Sequence, residues 1–213
     1  MIQRLYHLAG NPNLWAKDKR DFRRVNYEGT CTVLSEAAKK NLEVIVYTST
    51  ESILTGSVYS ENLVDSAVKR IIEEMPGPYC QSKFLAEQAA FAAAKIGLPV
   101  VVVAPTLPIG PGDNMITPPT RMILDFLNHK TPAYLNCGFN LIDVRDIAQG
   151  HILAAESGRP GERYILGHKN IALSELLRLI EDITGLAMPK LRVPYWLALA
   201  AGAVSEFMAD YVS

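Results

Sequence analysis

The stretch Glu43-Val44-Ile45-Val46-Tyr47-Thr48-Ser49-Thr50 decides the fold. Four apolar or aromatic residues in a row leave no polar face, so residues 43–48 read as a strand covered on both sides. Pro99-Val100-Val101-Val102-Val103 repeats the pattern within residues 98–104. Between the two, Tyr79 to Ile96 reads as a helix that carries Phe84-Leu85, Ala89-Ala90-Phe91 and Ala93-Ala94 and closes at Gly97. A buried strand, a helix and a second buried strand imply an α/β fold with a doubly wound parallel sheet, helices covering both faces.

Working outward, residues 4–9 form a short strand that Gly10-Asn11-Pro12 stops. Asp21 to Asn41 is a helix with Val25, Val33, Leu34 and Ala37 as its apolar stripe. Residues 50–78 are irregular, with one helical piece over 64–74. After the turn-rich stretch 105–119 come a helix over 121–128, strands over 133–135, 140–144 and 162–166, and helices over 145–156, 173–184 and 194–208. Asp146 is expected to cap or orient the helix at 145. Elements become shorter and more Pro/Gly-interrupted after Pro105, which divides the chain into 1–105 and 106–213.

Composition limits the function classes. The chain has 213 residues, 49% hydrophobic and 20% charged, which excludes a disordered chain. Lys+Arg 21 against Asp+Glu 22 gives a formal charge of −1, so nucleic acid is not the expected partner. Cys31, Cys80 and Cys137 are odd in number and widely spaced, which suits a reducing, cytoplasmic setting and makes no zinc pattern. His129, His151 and His168 are scattered, so no metal is expected. The apolar run 195–204 is about half a membrane span.

Tyr79 and Lys83 stand four apart on the strong helix and share a face. An ammonium near a phenol favours phenolate and lowers the tyrosine pKa, which suits proton exchange with an alcohol or ketone oxygen. Thr48-Ser49-Thr50 places hydroxyls at the C-terminal end of a buried strand, where open α/β sheets bind ligands. Tyr6-His7-Leu8-Ala9-Gly10 ends another strand in small residues, where a flat cofactor can approach. Gly29, inside the helix that carries Asn26, indicates close packing or a nearby ligand. Each element also has a bland reading: an exposed Tyr–Lys pair, turn or cap hydroxyls, a packed cysteine at Cys80 and solvated arginines at Arg121 and Arg145, against a diphosphate-binding role for the two arginines.

These pieces, in this order, resemble the extended short-chain dehydrogenase/reductase family, the NAD-dependent epimerase/dehydratase group. The nearer likeness is to the dihydroflavonol-reductase-like branch and, within it, the hopanoid-associated sugar epimerases. The likeness is carried by residues 6–9, 46–50, 79–87 and 105–113, and by Pro132-Ala133-Tyr134, residues 140–146 and 161–167. It implies a Rossmann-type sheet, with a partial NAD(P)-binding core over 1–105 and the Rossmann remainder plus a small substrate-side α/β portion over 106–213. It implies Tyr79 as acid/base, Lys83 as its partner and a ribose ligand, and Thr50 as the catalytic hydroxyl. It implies that His7, Leu8, Ala9, Asn26, Thr48, Ser49, Pro105 and Thr106 line NAD or NADP along with Tyr79 and Lys83. The implied reaction is hydride transfer at a carbinol carbon of a sugar nucleotide or a related alcohol or ketone. A homodimer stays open.

The pattern departs from the family in two places that matter for function. No Gly-x-Gly-x-x-Gly or Gly-x-x-Gly-x-x-Gly is present, and Gly110 and Gly112 have the wrong spacing. The expectation is therefore a chain that lacks the first βαβ unit and its pyrophosphate cradle. Thr50 is followed by Glu51-Ser52, where sugar-nucleotide dehydratases place two acids. A dehydratase, or an impaired fragment or scaffold, are the alternatives.

Overall fold

The computed structural model describes residues 3–55, 69–197, 199 and 202. They form two compact units: Met1–Gly110 with Ile142–Gly167, and Pro111–Leu141 with His168–Ser213.

The first unit is built on a four-stranded parallel sheet. Its strands are β1 (Arg4–His7), β2 (Val44–Thr48), β3 (Val100–Pro105) and β7 (Arg163–Leu166), lying side by side in that order. Strand side chains alternate between faces. Ile45, Tyr47, Val100 and Val102 meet Leu34 and Ala37 of α2 (Gly29–Ala37) and Ala86, Ala90 and Ala93 of α4 (Gly77–Lys95). Val44, Val46, Val101 and Val103 meet Ala154 of α6 (Val144–Ser157) on the other side. Val100 to Val103 are all 0% exposed, so the continuous apolar run reports burial on both faces. Each such valine contributes about 1.5–3 kcal/mol over an exposed one.

Helix α4 begins two residues before the sequence predicts, because Pro78 fits the first turn, where the missing N–H costs nothing. It ends at Gly97, whose φ of +102° only glycine adopts without strain. Its buried side chains include four polar ones: Ser82, Lys83, Glu87 and, in part, Tyr79. The helix expected over 21–41 is α1 (Arg20–Phe22), a π-helical turn (Arg23–Glu28) and α2 in succession. The Gly29 amide bonds the Arg24 carbonyl, five residues back.

In the 50–78 stretch, α3 (Ser52–Thr55) and a 3₁₀ turn (Ile72–Glu74) are present. Residues 64–68 of the expected helical piece lie outside the described residues, as does most of the expected 194–208 helix. The cap of α6 is Asp143 rather than Asp146. Its carboxylate accepts the Arg145 amide at 2.8 Å, and Asp146 sits in the first turn.

The second unit holds α5 (Pro118–Leu127), β5 (Ala133–Leu135), β8 (Lys169–Ala172), α7 (Leu173–Thr184) and β9 (Leu191–Val193) around Phe126, Tyr134, Ile171, Leu176 and Leu177. Strands β5 and β9 pair in parallel, and residues 138–141 of β6 (Gly138–Asp143) pair antiparallel with β8; the short β4 (Leu107–Ile109) follows β3 in the chain. Strands β8 and β9 fall where no strand is expected, being too short to show a period of two. No helix among the described residues is long and apolar enough to cross a membrane.

One buried ion pair joins α4 to β7. Arg163 donates to both carboxylate oxygens of Glu87, at 2.5 and 3.2 Å, and the two side chains are 9% and 1% exposed. Glu87→Ala takes this carboxylate away from a guanidinium held in the core. We expect a loss of about 3–5 kcal/mol, read by urea unfolding; a loss below about 1 kcal/mol, as at a surface pair, would contradict this picture.

Candidate active site

Backbone pairing carries β2 beyond its last residue. The Ser49 amide donates to the Val103 carbonyl (2.7 Å) and the Glu51 amide to the Pro105 carbonyl (3.2 Å). This fixes Thr48-Ser49-Thr50 at the C-terminal end of the sheet. Regular alternation stops with β2 at Thr48, and the three side chains go to different places. The Thr48 hydroxyl lies on the α6 side, 2.8 Å from His151 Nε2, and only its carbonyl faces α4. Ser49 Oγ is buried and, among the described residues, has no hydrogen-bond partner. Thr50 Oγ1 hydrogen-bonds Glu51 Oε2 (3.1 Å) and Ser52 Oγ (3.1 Å), and it accepts the Ser52 amide (3.3 Å).

Tyr79 and Lys83 project from α4 toward these groups. Phe22 packs edge-on against the Tyr79 ring, with centroids 6.4 Å apart. Burial pushes the Tyr79 phenol up to about 12, opposed by the Thr50 hydrogen bond and reinforced by Cys80 and Glu51. This corrects the expected direction, because the desolvation of a phenolate outweighs what the hydrogen bond restores. Lys83 Nζ donates to the Thr48 carbonyl at 2.7 Å and lies 5.0 Å from the Tyr47 ring centroid. Burial brings its ammonium down to about 8, with the Glu87 anion acting in the opposite direction. The Glu51 carboxyl is raised by burial, against hydrogen bonds that favour its anion.

A second polar layer stands behind α4. The π-helical turn presents Asn26, 2% exposed, to three partners. Asn26 Oδ1 accepts the Asn11 amide (2.6 Å), and Nδ2 donates to the Asn11 carbonyl (3.3 Å) and to Ser82 Oγ (3.0 Å). Ser82 in turn donates to the Tyr79 carbonyl (2.7 Å). Thr30 gives its one hydroxyl hydrogen to the Asn26 carbonyl (2.6 Å), so the hydrogen between Thr30 and His7 Nε2 (2.9 Å) sits on the imidazole. Burial, with help from Lys83, lowers the His7 pKa.

The structure therefore brings Thr50, Tyr79 and Lys83 together and puts Asn26 behind them. His7 is turned into the protein, toward Thr30, while Leu8 and Ala9 stay exposed at the strand end. Thr106 is buried, with its amide and hydroxyl both on the Leu166 carbonyl. Pro105 precedes it at the end of β3. Arg145 is committed to Asp143. Sequence reasoning missed Ser82, Thr30 and His151; the spacing of Ser82, three after Tyr79, was the available signal. No His/Cys/Asp/Glu cluster suited to a metal exists among the described residues.

The pattern that describes the NAD dependent epimerase/dehydratase family matches residues 1–167, more than half of the chain. The protein belongs to this family. A Synechocystis sp. protein named for dihydroflavonol 4-reductase is 44% identical over 208 residues, covering 96% of this chain and 60% of that protein. The crystal structure of gox2253 superposes with a TM-score of 0.87 at 34% identity, covering 98% of this chain and 63% of that one. The UDP-glucuronic acid 4-epimerase of Bacillus cereus, solved with NAD, superposes with a TM-score of 0.75 at 21% identity, which shows the shared Rossmann-type fold. The chain thus spans about 60% of the length of such relatives.

His7 supplies a pH test of this network. Its folded pKa is depressed, so as pH falls through about 6.5 the unfolded chain takes up a proton first and stability drops. His7→Gln, which keeps a donor for Thr30, should flatten the stability–pH slope between pH 6.5 and 5.5 by up to about 1.4 kcal/mol per unit. An unchanged slope in urea titrations would mean that His7 is not held neutral.

Proposed function

We propose that the protein catalyses NAD(P)-dependent hydride transfer between a secondary alcohol carbon and its ketone, as a reductase or an epimerase. The observation that carries this reading is Lys83 Nζ bonded to the Thr48 carbonyl at the end of a buried parallel strand, with Tyr79 one helical turn before it and the Thr50 hydroxyl acting on its phenol. Two features fit a nicotinamide nucleotide. Ser49 Oγ is a buried hydroxyl in want of a partner, and Lys83 uses one of its three donors on Thr48. Lys83, Ser49 and Tyr79 would hold the cofactor, with Leu8, Ala9 and Pro105 around it and His7, Asn26, Thr48 and Thr106, whose side chains are taken by protein partners, behind them. When bound, it supplies or accepts the hydride.

The protein's own residues handle the oxygen and its proton. Thr50 Oγ1 hydrogen-bonds the reacting oxygen beside Tyr79. Tyr79, a firmly protonated phenol, gives its proton to a carbonyl oxygen in the reducing direction. In the oxidising direction the phenolate takes the proton of the alcohol, and the Lys83 ammonium on the same helix face favours the phenolate that this step requires. An epimerase uses both directions on one substrate, with hydride returned to the opposite face of the ketone. The Synechocystis relative's name supports a ketone substrate, and the fold shared with a UDP-glucuronic acid epimerase supports a sugar nucleotide.

Glu51 favours a second reading, a dehydratase. Its buried carboxyl tends to keep a proton and touches Thr50, and a neutral acid there can protonate a departing hydroxyl. Product masses separate the two, since only elimination loses water.

Tyr79→Phe should lower turnover by about 10²–10⁴-fold while affinity for NAD or NADP, followed by fluorescence titration, stays within a few-fold. Turnover at the wild-type rate would remove Tyr79 from the mechanism. Absence of cofactor binding by the unaltered protein would favour a scaffold.

A further inference from the structure

Beyond the Thr50–Tyr79–Lys83 group, the proposed reaction leaves one set of buried charges unused. Lys83 and Glu87 are four apart on α4, so their side chains are neighbours on one face. Glu87 is 1% exposed and its two oxygens are both taken by Arg163, whose guanidinium also lies 5.3 Å from the Phe91 ring centroid. The result is a row of cation, anion and cation that runs from the active-site face of α4 to β7. A surface pair of this kind is worth little, and a buried one costs more desolvation than an apolar replacement would. A purely structural account therefore leaves its place beside Lys83 unexplained.

The groups that face Lys83 are few. From β1 comes His7, and from β2 come the Tyr47 ring and the Thr48 carbonyl. From its own helix comes Glu87, the one carboxylate among the described residues that acts on it. Neither strand offers a full negative charge, so burial works against the ammonium and Glu87 alone supports it. Arg163 competes for that same negative charge.

We propose that Glu87 and Arg163 are positioning residues that set how firmly Lys83 holds its proton: Glu87 keeps the proton on Nζ, and Arg163 limits that hold. Burial draws the ammonium-to-amine crossover of Lys83 below that of a surface lysine, and the pair sets how far. Its relevance to turnover rests on the reading of Lys83 as the partner of Tyr79; its effect on Lys83 does not.

The test follows Lys83 directly, by NMR titration of the intact protein labelled with ¹³C at lysine Cε, between pH 6.5 and 10. One lysine resonance should titrate far below the rest and vanish in Lys83→Met. Glu87→Gln should lower that midpoint by about one pH unit, and Arg163→Met should raise it by a similar amount. Arg163→Lys keeps a cation but loses the bidentate fork, so it should leave the midpoint near wild type while lowering the melting temperature. A folded Glu87→Gln protein with an unmoved Lys83 midpoint would overturn the proposal and reduce the pair to a clamp. The same holds if Arg163→Lys moves the midpoint as far as Arg163→Met does. Tyr79→Phe leaves this titration in place, so the proposal and the hydride-transfer reading can fail separately.

Discussion

Strands β2 and β3 have no side turned to water, and this constraint arranges everything else. A polar side chain along their length would face alanine and leucine from α2, α4 or α6, as the partnerless Tyr47 hydroxyl does among the described residues. The chemistry is therefore displaced to the strand ends, where Thr48, Ser49, Thr50 and Thr106 sit. The same constraint explains why β2 continues to pair with β3 through the Ser49 and Glu51 amides. Backbone groups that leave the ladder in a dry place must still be satisfied.

Helix α4 answers this strand end with a polar stripe inside an apolar face. Tyr79, Ser82, Lys83 and Glu87 are spaced by three and four, and each meets a partner from a different element: Thr50, Asn26, the Thr48 carbonyl and Arg163. Such a stripe is costly wherever a partner is missing. The helix can thus sit in only one rotation and one height against the sheet. That rigidity holds the phenol and the ammonium in place.

The sheet and the long helix were legible in the sequence, because both follow from periodicity and burial. The Thr50–Tyr79–Lys83 group was legible through spacing and through a family likeness. What could not be read was direction. Thr48 and Thr50 look equivalent in the sequence, and strand alternation would give them one face; because β2 ends at Thr48, the two hydroxyls part, one to His151 and the other to Glu51 and Ser52. A short-range rule, ammonium beside phenol, suggested an acidified tyrosine, but the closing of the core around Tyr79 outweighs it. Partners distant in sequence, such as Arg163 for Glu87 and His151 for Thr48, exist only once the chain returns to the first unit after residue 141.

The π-helical turn at Arg23–Glu28 holds one residue more than an α-helical path between the same ends requires. Each residue in a helix advances the side-chain direction by about 100°. Loss of a single residue from this turn would leave an ordinary α-helix, with α2 still free to pack on the sheet. Asn26 would nevertheless point away from Asn11 and Ser82. Length variation at this one place would therefore be quiet in the fold and loud in the site, a change that substitution alone cannot imitate.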